Sequence, residues 1–561
     1  MRAIIDIETT GLNKFEDDIN LIVVGIDHNK NGEIDTYKVI SKDDPDMLSK
    51  VEAVYKHLKK NRATCIYQNG KFDVLFLEEK FDLKFPIHHD IMVMGTAYSL
   101  IDKHGLKDMA QKYLNVKDWD ISTKAKKQLS NETVEYCKKD VYYTYKLFLY
   151  FKEKINKEQK KVYRKLLLPA YKAYLKIEHA GIYFDKESYT VTLKEYKNKE
   201  TACLDKLKKR KNINWNSSKQ VQEYLFKELK LPALKLSKKT GSPSADASTL
   251  RKLSAKGFEI ADEILDYKFY YGANSKFLNK WLDFAKYDGR IHPSFNITNV
   301  ITGRTSCSNP NLQQVPRNPE LRNLFTAPKG KELIEVDYSQ VELRIAADYA
   351  SEQNMIEIYK NNGDIHTETA KTLTGGREPS KEERSRAKAI NFGFIYGMTA
   401  KGFVHYAFDS YGMVFTQAEA ELYRQKFFNK YYGLQNWYKR VEYECRRDFG
   451  VRNRFGRFRY IPEILDHNRY EQIKGLRKAI NMPVQSTASD VLLSSVIELH
   501  RRKYKIVGTV HDSILIEVDK AEKHIPVIRE IMQNPPLLDE FGIKFKVPLI
   551  ADFSIGAWGN R

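Results

Sequence analysis

The chain has 561 residues, 42% of them hydrophobic and 12% aromatic, which is too long for one core and predicts two to four domains. Its 94 Lys and Arg against 73 Asp and Glu give a formal net charge of +21, which favours a polyanionic partner through counterion release, although a lysine-rich soluble protein would carry the same charge. No apolar run reaches bilayer length, Met1 leads directly into strand-like residues so that no leader is expected, and five scattered Cys without a C-x-x-C pair disfavour a disulfide framework or zinc site and suit a reducing cytosol.

Residues 1–150 alternate short β-type runs (AIIDIE, LIVVGID, TCIYQNG) with helical stretches, which predicts an α/β domain. Asp6 and Glu8 stand two apart, and on a strand such side chains share a face. Asp73 in YQNGKFDVLFL and Asp140 in EYCKKDVYYTYKLF add two carboxylates, and Tyr136 precedes Asp140 by one helical turn. Each pattern alone is weak, but their ordered recurrence is far more specific. Four carboxylates suit two divalent cations. His88-His89-Asp90 is a poor zinc site, because adjacent His on a strand do not readily share an ion and no Cys lies nearby.

Residues from about 155 to 285 read as lysine-rich helices interrupted by the loop SKKTGSPSADAS at 237–248. They suit either a plain bundle or a cationic clamp on duplex DNA. From 296 the pattern is α+β. A strand at 332–337 ends in Asp337 before the helical SQVELRIAADYA, where an Asp often serves only as a cap. A helical stretch covers about 350–450. Within it Ser380-Lys-Glu-Glu383 is a capping box, opening a helix expected to carry Arg384, Lys388, Phe392 and Tyr396 along one broad side. Such residues also decorate ordinary helix surfaces. RKAINMPVQSTASD at 477–490 contains Pro483, which argues against a regular helix throughout. IVGTVHDSILIEV predicts a hairpin with His511 and Asp512 at its tip, and strands are expected at 505–518 and 546–553.

VDYSQVELR, RSRAKAINFGFIYG and VHDS together resemble motifs A, B and C of the family A DNA polymerases, and the resemblance to a replicative, phage-type member spans nearly the whole chain. The 1–155 set resembles the DEDD-type 3′–5′ exonucleases, in the variety with Tyr in the third motif. The implied fold is an α/β RNase H-like exonuclease domain (1–155) followed by an α+β right-hand polymerase domain. The latter comprises thumb and connecting helices (156–295), palm (296–350 and 466–561) and fingers (351–465).

The resemblance implies two Mg²⁺ on Asp337 and Asp512 and two on Asp6, Glu8, Asp73 and Asp140, with Mn²⁺ able to substitute. Tyr136 would orient the attacking water. Arg384 and Lys388, the latter also counted as catalytic, would face the β- and γ-phosphates, with His366 as a further triphosphate contact. Phe392 would meet the sugar and Tyr396 the base-pair pocket. Gln340 and Glu342 would flank the incoming sugar, Glu342 as the gate against a 2′-hydroxyl. Arg304, Gln313, Arg477, Asn481, Gln485 and His511 would contact DNA, mostly through minor-groove acceptors that vary little with sequence. Ser513 departs from the Glu usual in the third motif, which leaves rate and metal preference open. A preceding 5′ nuclease domain is expected to be absent. The expected partners are primer-template DNA, dNTPs and helicase–primase or other replisome proteins, with no membrane. The expected location is cytoplasmic, in a bacterial host if phage-encoded. Two alternatives stand beside this reading. A single-subunit RNA polymerase-like enzyme is disfavoured by Glu342, Phe392 and the exonuclease set. A catalytically decayed nucleic-acid-binding scaffold is disfavoured because no expected carboxylate is missing.

Overall fold

The computed structural model describes residues 1–122, 125, 128–237 and 240–560, so Lys238 and Lys239 of the 237–248 loop lie outside the described residues. The first part is built on strands β1 (Arg2–Thr9), β2 (Ile19–Asp27), β3 (Thr36–Ser41), β4 (Thr64–Tyr67) and β5 (His89–Asp90), in the order β3-β2-β1-β4-β5. The β1–β2 and β2–β3 pairs are antiparallel, and β4 and β5 run parallel to β1. This is the RNase H-like arrangement. All nine residues of β2 are buried, as expected for a strand with neighbours on both edges and cover on both faces. The Asn131–Lys154 helix supplies part of that cover, burying Cys137, Val141, Tyr145 and Phe148.

His88 and His89 are engaged in ordinary packing. His88 Nδ1 accepts from the Cys65 amide at 3.1 Å, His89 Nδ1 meets the Tyr163 hydroxyl at 3.0 Å, and Asp90 caps the Ile91–Tyr98 helix.

The middle of the chain is helical, as its composition predicts. A separate small core around Trp215, Leu225, Leu250 and Ile264 holds the 207–267 part together, apart from the main core. The main core runs without a break from the first sheet through the Leu168–Ala180 helix into the C-terminal part. At that junction the Lys71 ammonium bonds both Glu178 and the Phe295 carbonyl, and all these groups are buried.

A second sheet is antiparallel throughout. Its order is Lys505–Val510, Ser513–Val518, Glu332–Tyr338, Ala551–Ile555. Six helices between 353 and 448 form a lobe that meets this part of the chain through the Tyr396 hydroxyl, which bonds Glu342 on the Val341–Ala350 helix following Glu332–Tyr338. Three expectations need correction. The Arg469–Arg501 helix runs unbroken through Pro483. Met482, Pro483 and Val484 are all buried, and that packing outweighs a proline cost of about 3 kcal/mol. The last strand is Ala551–Ile555, so residues 546–550 approach it as irregular chain. The capping-box helix is Lys381–Phe394, and Tyr396 lies beyond its cap residue Ile395, followed by Gly397 at φ +71°. Among the described residues no helix is long and apolar enough to cross a membrane.

Candidate active sites

Two acidic centres stand apart, one on each sheet. In the first, β1 carries Asp6 and Glu8, the Lys71–Phe81 helix carries Asp73 in its first turn, and the Asn131–Lys154 helix carries Tyr136 and Asp140. Asp73 is anchored by the Ile7 amide, which donates to its Oδ1 at 3.1 Å. Burial drives the Asp6 carboxyl well above its usual range, and the charges of Asp140 and Asp73 push it further. Asp73 is raised in the same way, chiefly by burial. Crowded carboxylates of this kind are what a divalent cation stabilises.

Three residues at this centre carry no motif in the sequence. The Cys137 thiol donates to Asp6 Oδ2 at 3.0 Å, and Asp6, Glu8 and Cys137 offer ligand atoms within 4.8 Å of one another. Lys107 Nζ lies 2.6 Å from both Asp140 oxygens and 2.7 Å from the Tyr136 hydroxyl. Trp119 Nε1 donates to Asp140 Oδ1 at 2.6 Å.

The second centre is made by strand register. Asp337 stands opposite Ser513 on one neighbouring strand and Asp552 on the other. Directly opposed residues share a face, so Asp552 is an acidic neighbour of Asp337 that the sequence pattern did not single out. Asp512 forms the hairpin tip with His511, whose φ of +56° makes the two-residue turn possible, and the Asp512 carbonyl accepts from the Tyr338 amide at 3.3 Å. Burial raises the Asp512 carboxyl to about 6; the Glu342 and Asp337 charges add to this and Arg304 opposes it. The Ser513 hydroxyl donates to the Val510 carbonyl at 2.9 Å and is buried, so it closes the turn.

The Lys381–Phe394 helix belongs to the helical lobe. Its capping box forms as its sequence predicts. Arg384 and Lys388 are exposed on it, and Phe392 is half-buried with its ring 5.8 Å from His366. Arg384 Nε donates to Asp364 Oδ2 at 2.7 Å. Asp364 also caps the Ile365–Leu373 helix and accepts from Gln340 Nε2 at 3.2 Å. His366 Nδ1 accepts from Asn391 Nδ2 at 2.8 Å, which leaves Nε2 as the donor; burial holds the imidazole down near 4, so it is neutral. Buried Glu342 bonds Arg304 through one oxygen and the Tyr396 hydroxyl through the other. Glu342, Tyr396 and Arg304 are thus brought together, as are Gln340, Asp364 and Arg384.

Arg477, Asn481 and Gln485 lie at four-residue steps on the long helix, with Arg477 exposed and the other two half-buried. Ser489 Oγ ties that helix to the Gly303 carbonyl at 2.6 Å, which holds Arg304 nearby. Gln313 sits half-buried in the Leu312–Gln314 turn.

Comparison with known proteins bears on both centres. The model of DNA polymerase family A matches residues 186–560, and that of a 3′–5′ exonuclease matches residues 4–156. DNA polymerase I of Caldicellulosiruptor bescii is 32% identical over 412 residues, covering 70% of this chain and 47% of that protein. The thermostable DNA polymerase I of Thermus aquaticus is 34% identical over 349 residues, 59% and 41% of the two chains. DNA polymerase I of Borreliella burgdorferi is 29% identical over 544 residues, 90% and 57%. The chain spans about half the length of these relatives. The fold matches the POL domain of Pol1 from M. smegmatis, a complex with DNA primer-template and dNTP. Its TM-score is 0.83 at 23% identity, over 100% of this chain and 96% of that one.

Proposed function

Since the chain belongs to DNA polymerase family A and carries a 3′–5′ exonuclease domain, we propose that it extends a DNA primer on a DNA template and trims the 3′ end at a second centre. The observation that carries the reading is the strand register that sets Asp337 beside the Asp512 hairpin tip, with Arg384 and Lys388 exposed on a helix of the helical lobe. Residues 1–155 are read as the exonuclease domain, 156–295 as thumb and connecting helices, 296–350 and 466–561 as palm, and 351–465 as fingers. The separate core at 207–267 supports a thumb that packs as its own lobe.

Asp337 and Asp512 would hold divalent cations, Mg²⁺ by preference, with Asp552 adding negative charge. Asp6, Glu8, Asp73 and Asp140 would hold a second pair. The crowded carboxyls, raised by burial and by one another's charge, fit such ions. When bound, the metals supply charge neutralisation at the phosphate and activation of the attacking oxygen. The remaining work falls to the chain. Arg384 and Lys388 bind the triphosphate and neutralise charge that builds on its β- and γ-oxygens. Neutral His366 donates from Nε2 to the same group. Phe392 packs on the sugar, and Glu342, braced by Arg304 and Tyr396, fills the space a 2′-hydroxyl would need. Arg304, Gln313, Arg477, Asn481, Gln485 and His511 hold the primer-template. Tyr136 orients water at the exonuclease centre. Primer-template DNA and dNTPs are the proposed substrates, in the cytoplasm, with helicase–primase or other replisome proteins as further partners.

Primer extension tests the reading. A labelled primer should lengthen with template, Mg²⁺ and dNTPs and shorten from its 3′ end without dNTPs. A protein that binds the DNA but leaves the primer unchanged in both conditions contradicts it.

A further inference from the structure

At the first acidic centre a lysine occupies the carboxylate that the metal reading needs. Lys107 lies on the Leu106–Leu114 helix, in a segment with no recognisable motif. Its ammonium reaches both oxygens of Asp140 at 2.6 Å each, so the contact is bidentate, and Trp119 adds a third donor to Oδ1. Lys107 is held from other sides as well, by the Tyr136 hydroxyl at 2.7 Å and by the Tyr136 ring, whose centroid is 4.3 Å away. Its side chain is 21% exposed and that of Asp140 9%, so solvent and salt screen the pair weakly. The second centre differs. Arg304, the cation whose field acts most on Asp512, is paired with Glu342.

An ammonium only donates, whereas a metal ligand must present lone pairs. Lys107 and a divalent ion therefore draw on the same two oxygens, and a positive charge fixed 2.6 Å from them repels a second cation. Taking the exonuclease reading as its basis, we propose that Lys107 is a resident counter-cation that competes with a divalent ion for Asp140 and so raises the metal concentration the exonuclease centre needs.

The test is Mn²⁺ titration of the full chain without DNA, followed by the electron paramagnetic resonance of the free ion. An Asp337→Asn/Asp512→Asn background removes the other centre. Lys107→Met should tighten Mn²⁺ binding by about tenfold or more, because a nearby like charge is lost. Lys107→Arg should stay close to the parent. With Asp337 and Asp512 restored, the Mg²⁺ needed for half-maximal degradation of a single-stranded oligonucleotide should fall by a similar factor in Lys107→Met, with primer extension unchanged. Unchanged or weaker Mn²⁺ binding in a folded Lys107→Met protein overturns the proposal and leaves Lys107 as a support for Tyr136 and Asp140. If Lys107→Met does not fold, Lys107→Gln is judged by the same criterion. A parent that binds Mn²⁺ here but degrades no single strands contradicts the exonuclease reading, while the shift in Mn²⁺ affinity still decides the role of Lys107.

Discussion

The two acidic centres are built differently. The first centre, proposed as the exonuclease site, draws its carboxylates from one strand and two helices within the first 140 residues, with a lysine bonded to one of them. The second centre joins strands from distant parts of the chain, Asp337 in Glu332–Tyr338 and Asp512 beside Ser513–Val518, and the exposed Arg384 and Lys388 stand on the Lys381–Phe394 helix. In the first, the Lys107 ammonium is committed to one carboxylate, Asp140. In the second, Arg384 is held by Asp364 in the helical lobe, where an incoming triphosphate would compete for it. A centre acting on chain already at hand needs restraint, whereas one that must capture a mobile, highly charged substrate needs accessible positive charge.

Separating the centres gives the largest effect. Asp512→Ala should reduce primer extension by a factor of about 1,000 or more and spare 3′ degradation, since removing a metal-holding charge removes the main electrostatic support of the reaction. Asp6→Ala with Glu8→Ala should do the reverse. Loss of both activities from either change in a folded protein would collapse the two centres into one.

The next comparison sharpens the division between nucleotide and DNA. Arg384→Ala or Lys388→Ala should lower single-nucleotide insertion by about 100-fold, as expected for charge-assisted contacts to phosphate. DNA affinity and its salt slope, measured by fluorescence anisotropy, should barely move, because many other Lys and Arg supply them. A loss confined to DNA binding would reassign both residues to the nucleic-acid backbone.

Asp337 has different neighbours on its two sides, and a smaller effect follows. Asp552→Asn should reduce extension by about tenfold at limiting Mg²⁺ by removing a charge beside Asp337. Ser513→Ala should leave the rate within about twofold and cost about 1 kcal/mol of stability, because its hydroxyl is spent on the Val510 carbonyl. The reverse order would make Ser513 the functional neighbour. Extension rates across a Mg²⁺ series and urea unfolding give both numbers.

A last contrast sets the two halves against each other in acid. Burial lowers both His89 and His366 to about 4, against about 6.5 unfolded. The unfolded chain therefore takes up these protons first. The associated stability is complete above pH 6.5 and is lost as pH falls toward 4, by at most about 3 kcal/mol for each group. His89→Phe should flatten the pH dependence of unfolding in the exonuclease half and His366→Gln that in the polymerase half, read by calorimetry. Equal acid sensitivity in both variants and the parent would contradict the assignment.

How far the sequence carried depended on whether a signal was local. Asp6 and Glu8 were legible because a strand's two-residue period fixes their common face, and the Lys381–Phe394 helix because Ser380 and Glu383 form its capping box. Asp512 was legible as a polar break between two apolar strands. Lys107, Trp119, Asp364 and Asp552 were not, since each acquires its meaning from a partner across the fold. Pro483 misled for the related reason that a local rule was outweighed by burial on a long helix.

On the proposed reading one chain holds two centres with divided labour. A primer bearing a 3′-terminal mismatch, given to the protein with template, Mg²⁺ and all four dNTPs, separates their work when the products are sequenced. The parent should yield full-length strands from which the mismatch has been removed. Asp6→Ala/Glu8→Ala should yield strands that retain it or stall at it, and Asp512→Ala should yield only shortened primers. Removal of the mismatch by the protein lacking both Asp6 and Glu8 carboxylates would contradict the account.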